Sequence, residues 1–169
     1  IHEIVKGLTS EDGFKTIDQQ TYEDNGGLDF YSVGVFGKPG EGDFEFELTG
    51  RHLTLRADGN STEKAAFGGP IVYGHGVEDP SENLYFAQTK QTNKVFEALD
   101  KDQRKQALLK TAPQETAVQV QGKEGTFPGI GVDALQDDQK QLVEESLAFL
   151  LAPYRQEDID EVMQIVKES

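Results

Sequence analysis

The clearest pattern of apolar and polar positions lies in DFEFELTGRHLTLRAD, residues 43–58. Phenylalanine and leucine alternate with acidic residues before a Thr-Gly pair, and Leu53 and Leu55 alternate with polar residues after it. Alternation with a period of two is typical of strands that are buried on one face only. The pattern predicts a β-hairpin over about residues 43–57, with its tight turn at Thr49–Gly50.

The alternation also predicts which side chains share a face of the second strand. If Leu53 and Leu55 face the core, then His52, Thr54 and Arg56 lie together on the opposite, polar face. That face becomes a candidate site, because it combines an imidazole with a guanidinium group.

The segments before the hairpin have other periods. Apolar residues at helical spacing predict a helix over Ile1–Leu8, and a second helix that begins at a Ser10 cap and includes Ile17. The turn-forming DNGG then ends the helix, and LDFYSVGVF, residues 28–36, predicts a strand because it is rich in β-branched and aromatic residues.

The chain after residue 79 favours helices. Asp79 is expected to cap a helix with Pro80 in its first turn. Two amphipathic segments, LVEESLAFLLA and QEDIDEVMQIVKE, predict the last two helices. The alternating segment ETAVQVQG, which precedes them in the chain, predicts one more strand. The segments that start at Leu99 and Leu135 resemble each other, which indicates a shared way of starting a helix.

This order of elements predicts the α+β class: an antiparallel sheet covered by helices that are mostly C-terminal. A length of 169 residues suits one domain, so residues 1–169 are expected to fold together.

Composition excludes several classes of partner. The formal net charge is −15, from 16 basic and 31 acidic side chains, so a nucleic-acid phosphate backbone would be repelled. Membrane insertion is not expected, since no apolar run approaches the roughly 18 residues that a spanning helix requires. The absence of cysteine excludes disulfides and thiolate metal sites. A metal ion, a small molecule or a cationic protein remains as a partner.

The segment FGGPIVYGHG, residues 67–76, places another histidine, His75, among four glycines. Imidazole is the commonest transition-metal ligand, and glycines let the backbone approach a ligand closely. If the strand after the hairpin returns beside it, His52 and His75 converge, and Glu78 could complete a site of two histidines and a carboxylate for a divalent transition metal.

The same geometry would suit a small ligand. Arg56 or Tyr73 would orient it, and Gly69 and Gly74 would line it with backbone. In an enzymatic version, a bound ion would activate water or dioxygen. The alternative is a non-catalytic acidic interaction module, in which both histidines serve only the fold.

Four blocks of the chain, FELTGRHLTLRADGN, AFGGPIVYGHG, QTNKVFEALDKDQRKQALL and GTFPGIGVDALQDDQKQLV, resemble the bacterial DUF3500 family of unknown function. The resemblance implies that His52, Gly69, Pro70, Gly74 and His75 are the positions of interest. It also implies an extracytoplasmic protein. Similar members continue past the last helix into strands with an HxH-like segment, which implies that this chain lacks a C-terminal part. If a metal site of the family uses those later histidines, the resemblance implies that the site is incomplete in this chain.

Overall fold

The computed structural model of the protein describes residues 1–58, 72–112, 114 and 125–168. The chain divides into two compact units, one formed by residues 1–89 and 147–169 and the other by residues 90–146. The prediction that the whole chain forms one domain stays a prediction.

The first unit begins with the two predicted helices. They are α1 (His2–Leu8) and α2 (Glu11–Asn25). The hydroxyl of Ser10 accepts a hydrogen bond from the Gly13 N–H at 3.0 Å, which is the expected N-cap. At the other end Gly26 adopts a left-handed conformation with φ of 82°, which only glycine adopts at little cost, so α2 ends there.

In the described part of the chain, four strands form an antiparallel sheet in the order in which they occur along the sequence. They are β1 (Ser32–Gly37), β2 (Phe44–Gly50), β3 (Leu53–Asp58) and β4 (Val72–Tyr73). The predicted hairpin is confirmed as the β2–β3 pair. The predicted strand over 28–36 is shorter, because a 3-10 turn occupies Leu28–Phe30 before β1 begins.

The hairpin turn lies two residues later than predicted, at Arg51–His52. Gly50 still pairs with Leu53 in the ladder. The glycine is required there for another reason: a Cβ atom on Gly50 would lie 2.2 Å from Cδ1 of the Tyr31 ring. The Tyr31 hydroxyl donates a hydrogen bond to the Arg51 carbonyl at 2.6 Å, so the ring and the turn pack as one piece.

One face of the sheet forms the core. Leu48 lies opposite Leu55 in the register, and both are buried, as is Leu53. The side chains of α1 and α2 pack against this face, and the buried cluster contains Val5, Ile17, Leu28, Tyr31, Phe46, Leu48, Leu53 and Leu55. Burial of these apolar side chains stabilises the arrangement of helix α2 over the hairpin.

The other α-helices among the described residues are α3 (Phe86–Ala98), α4 (Lys101–Ala107), α5 (Asp137–Leu150) and α6 (Gln156–Glu168). The α+β class, with helices mostly in the C-terminal part, is therefore confirmed. Asp79 caps only a 3-10 turn at Pro80–Glu82. Helix α3 begins later, after Asn83, whose side-chain carbonyl accepts a hydrogen bond from the Tyr85 N–H at 2.8 Å. The predicted strand ETAVQVQG lies outside the described residues.

Within the second unit, the two similar segments meet through a pair of glutamines. Each side chain caps its own helix: Gln103 accepts from the Asp100 N–H at 3.0 Å, and Gln139 accepts from the Gln136 N–H at 2.9 Å. The two amides also donate to each other's carbonyl oxygens, at 2.9 and 2.8 Å. The similarity between the segments thus reflects a shared capping device, as the sequence indicates.

Candidate functional site

His52 occupies the tip of the hairpin with a strained backbone. Its φ is 55°, and it is the one non-glycine residue with positive φ in the part of the chain that the structure describes. Its carbonyl accepts two hydrogen bonds, from the Gly74 N–H at 2.9 Å and from Nε2 of Gln20 at 3.2 Å. Gln20 is fully buried, so the turn is held from below by α2. Left-handed non-glycine residues persist only where the surroundings fix them, and they concentrate at functional sites.

The His52 ring is held by a buried carboxylate. Nδ1 lies 3.1 Å from Oδ2 of Asp24, whose side chain is only 2% exposed, whereas the His52 side chain is 41% exposed. The other Asp24 oxygen accepts from the Gly76 N–H at 3.1 Å. An ionised carboxylate only accepts hydrogen bonds, so Nδ1 carries the proton and the lone pair of the neutral ring lies on Nε2. Among the described residues, Nε2 has no hydrogen-bond partner.

Gly76 makes room for this ring. A Cβ atom at Gly76 would lie 2.4 Å from Cε1 of His52, which is closer than any real contact. Gly74, two residues earlier, has nothing within 4 Å of the equivalent position. The two glycines therefore differ in role: the ring packs on Gly76, while Gly74 contributes its backbone N–H.

His75 is buried and uses both ring nitrogens. Its side chain is 3% exposed, and Nε2 lies 2.8 Å from Oε2 of Glu23. Nδ1 accepts a hydrogen bond from the Leu84 N–H at 3.3 Å, which places the proton of the neutral ring on Nε2. The His75 carbonyl accepts from Nδ2 of Asn83 at 2.8 Å. His75 thus ties the end of α2 to the segment before α3 and has no nitrogen free for a ligand.

The polar face of the sheet does not combine the residues expected there. His52 lies in the turn and contacts α2, so it does not share the face of Thr54 and Arg56. Arg56 forms an ion pair with Glu45 across the β2–β3 ladder. Tyr73 lies opposite Leu53 in the register and packs against the core, on the other side of the sheet from Arg56.

Two tyrosines form a polar network beneath the turn. The Tyr85 hydroxyl donates to Oε1 of Gln20 at 2.9 Å, and the Tyr73 hydroxyl donates to the Leu150 carbonyl at 2.6 Å. Their ring centroids are 4.7 Å apart. Burial raises the pKa of both hydroxyl groups above the ordinary tyrosine value, so both stay protonated donors near neutral pH. Tyr73 thus reaches His52 only indirectly: its ring contacts Tyr85, and Tyr85 holds the Gln20 side chain that donates to the His52 carbonyl.

The remaining predicted site residues stand apart. Glu78 is exposed, and Gly69 lies outside the described residues. Across residues 1–58, 72–112, 114 and 125–168, no three histidine or acidic side chains form a group that could hold a metal ion.

Sequence reasoning missed the carboxylates that bind the two histidines, Glu23 and Asp24, and the buried Gln20. They precede or lie within the DNGG segment, which the sequence marks only as a turn. The available signal was helical spacing, since residues 17, 20, 21 and 24 lie on one side of α2. Three of these four residues are polar, and polar residues on the core-facing side of a helix indicate buried hydrogen bonds.

Comparison with known families gives one match. A family model described as a protein of unknown function (DUF3500) matches residues 1–169, the whole chain. Neither a curated protein nor a solved structure matches the chain. In the described part of the chain, the helices are too short or too polar to cross a membrane.

Proposed function

We propose a function from this chain's own residues, because it belongs to the DUF3500 family, whose description assigns no activity. The protein binds a small ligand at His52, and Nε2 of His52 accepts a hydrogen bond or a proton from that ligand. The structure around His52 is supported by His75, Tyr73 and Gly74, which are not assigned contacts with the ligand. The observation that carries the proposal is the bond between the half-exposed His52 ring and the buried carboxylate of Asp24.

The His52 ring is exposed and the Asp24 carboxylate is buried, and this difference determines the chemistry of the pair. A carboxylate on Nδ1 fixes the ring orientation and the tautomer, and it stabilises the imidazolium ion if Nε2 takes a proton. The exposed partner carries the reactive lone pair, while the buried partner is shielded from solvent. This arrangement supports proton acceptance from a bound hydroxyl or N–H group.

A metal ion shared by His52 and His75 has less support than a small ligand. Both nitrogens of His75 are already bonded, and two imidazoles on one ion would need a nitrogen of each at about 2.0–2.1 Å from it. Binding of such an ion would require His75 to leave Glu23 or the Leu84 N–H. We therefore assign ligand contact to His52 and a structural role to His75.

The protein contains its own control for a binding experiment. The His2 side chain is 45% exposed, close to the value for His52, but its partner Asp29 is itself 82% exposed. Phenol, which offers one hydroxyl donor, is a suitable probe, and the nitrogen-15 resonances of the imidazole rings report which histidine it contacts. We expect phenol to shift Nε2 of His52 and to leave His2 and His75 nearly unchanged.

Asp24→Asn is the matched variant, because it keeps the side-chain size and removes the charge. The shift of the His52 resonance at a given phenol concentration should fall in this variant. Equal shifts at His2 and His52 in the wild type, or no shift at either, would contradict a ligand site at His52.

A further inference from the structure

We propose that the groove between α1, α2 and the 3-10 turn after α2 binds a small organic cation, which the Asp18 carboxylate and the Tyr22 ring contact together. The groove has a volume of about 490 Å³. That is within the range of about 300–1,000 Å³ typical of small-molecule sites. It shares no residue with the cluster around His52.

Asp18 and Tyr22 present one acidic and one aromatic group on the same helix face. They are four residues apart on α2, and side chains at this spacing are neighbours. Tyr22 is 71% exposed, and Asp18 is exposed as well. Within the described part of the chain, neither the Tyr22 hydroxyl nor the Asp18 carboxylate has a hydrogen-bond or ion-pair partner, so both are available to a ligand.

The lysine and the histidine that line the groove already contact other carboxylates. Nζ of Lys15 lies 2.7 Å from Glu11 and 3.4 Å from Asp12, and Nε2 of His2 lies 3.3 Å from Asp29. The charge of Asp18 is therefore not compensated.

The helix adds to this negative potential. The last turn of α2 has no basic residue, although the C-terminal end of a helix favours cations. The net charge of −15 further raises the local concentration of cations.

The ligand class follows from these groups. An ammonium group would pair with Asp18 and lie over the Tyr22 ring, where the ring quadrupole attracts a cation. An apolar or aromatic body would contact Phe14, which lines the same groove and packs against the core cluster. Benzylammonium is the simplest molecule with both parts.

The test is titration of the nitrogen-15-labelled full chain with benzylamine hydrochloride at pH 7, followed by the backbone amide resonances. We expect shifts concentrated at the groove residues of α1 and α2. Asp18→Asn and Tyr22→Leu should each weaken binding by about two- to fivefold, since exposed charge pairs and exposed cation–π contacts contribute modestly in water. Tyr22→Phe keeps the ring and should retain the affinity.

Two controls make the proposal falsifiable. Benzyl alcohol has the same body without the charge, and equal binding of this alcohol would contradict a cation site. Glu161→Gln removes an exposed acid from α6; if it weakens binding as much as Asp18→Asn, then benzylammonium interacts only with the general negative charge, and the proposal is wrong.

Discussion

Glu23 and Asp24, which are adjacent in the sequence, each hold a different histidine. Asp24 binds the exposed His52 and Glu23 binds the buried His75. Consecutive residues of an α-helix point about 100° apart, so the two carboxylates hold the rings on different sides of the end of α2. This geometry explains why the two histidines have different environments and why they do not act as one pair.

Removing the Asp24 carboxylate should destabilise the protein. Asp24→Ala leaves the Gly76 N–H and the His52 Nδ1–H without their acceptor, and bonds to a charged acceptor are the strong ones. We expect a loss of about 2–4 kcal/mol in the free energy of unfolding, measured by urea denaturation. Asp18→Ala, an exposed acid on the same helix, should change it by less than about 0.5 kcal/mol. Similar effects of both variants would contradict the role of Asp24.

The two glycines near His52 should respond differently to alanine. Gly76→Ala places a methyl group against the ring and should cost about 1–3 kcal/mol, because the ring or the backbone must move. Gly74→Ala meets open space and should cost less than about 1 kcal/mol. Thermal unfolding of the two variants beside the wild type gives the comparison. Equal loss in both would mean that the ring does not pack on Gly76.

The backbone of His52 makes a prediction that is independent of its ring. Both His52→Ala and His52→Gly remove the bond to Asp24, but only glycine adopts a positive φ without strain. The glycine variant should therefore be about 1 kcal/mol more stable than the alanine variant. Urea midpoints measured under one set of conditions would show this difference. A more stable alanine variant would argue against the left-handed turn.

Alkaline pH should weaken the fold through the buried tyrosines. Burial raises the pKa of Tyr73 and Tyr85 in the folded protein, whereas in the unfolded chain tyrosine titrates near its ordinary value of about 10. Above about pH 10 the folded state then binds more protons than the unfolded state, so stability falls as pH rises. Below that range both states keep these hydroxyl groups protonated, so their contribution to stability does not change with pH.

Tyr85→Phe tests this linkage. The variant loses the bond to Gln20, so it should be less stable at neutral pH. Its stability should fall less steeply between about pH 10 and 11 than that of the wild type, because one titrating group is gone. Tyr22→Phe, at an exposed position, should keep the wild-type slope, and an unchanged slope in Tyr85→Phe would contradict the assignment.

Local patterns predicted the elements well, and the site less well. The alternation of Leu53 and Leu55 sufficed for the hairpin, and Ser10 and Gly26 mark the ends of α2 as capping chemistry requires. The position of the turn depended on the Tyr31 ring, which reaches Gly50 from 19 positions earlier in the chain. No local period reports such a contact, so the sequence placed the turn at the Thr-Gly pair.

The sequence pattern also did not reveal the carboxylates that bind the histidines, because these contacts too join residues that are distant in the sequence. His52 and Asp24 are 28 residues apart in the sequence. Strand alternation would place the His52 ring on the polar face of the sheet, but the left-handed turn directs it toward α2 instead. The choice of His52 and His75 as residues of interest rested on residue type and surrounding glycines. Their division into one exposed and one buried ring required the tertiary structure.

The protonation pattern of the imidazoles tests the central claim most directly. Nitrogen-15 NMR spectra, recorded with correlation to the ring carbon-bound protons at a pH where the rings are neutral, identify which nitrogen carries the proton. The structure predicts opposite tautomers: a proton on Nδ1 of His52, bound to Asp24, and a proton on Nε2 of His75, bound to Glu23. A proton on Nε2 of His52 would remove the free lone pair on which the proposed ligand site depends, and would contradict the account.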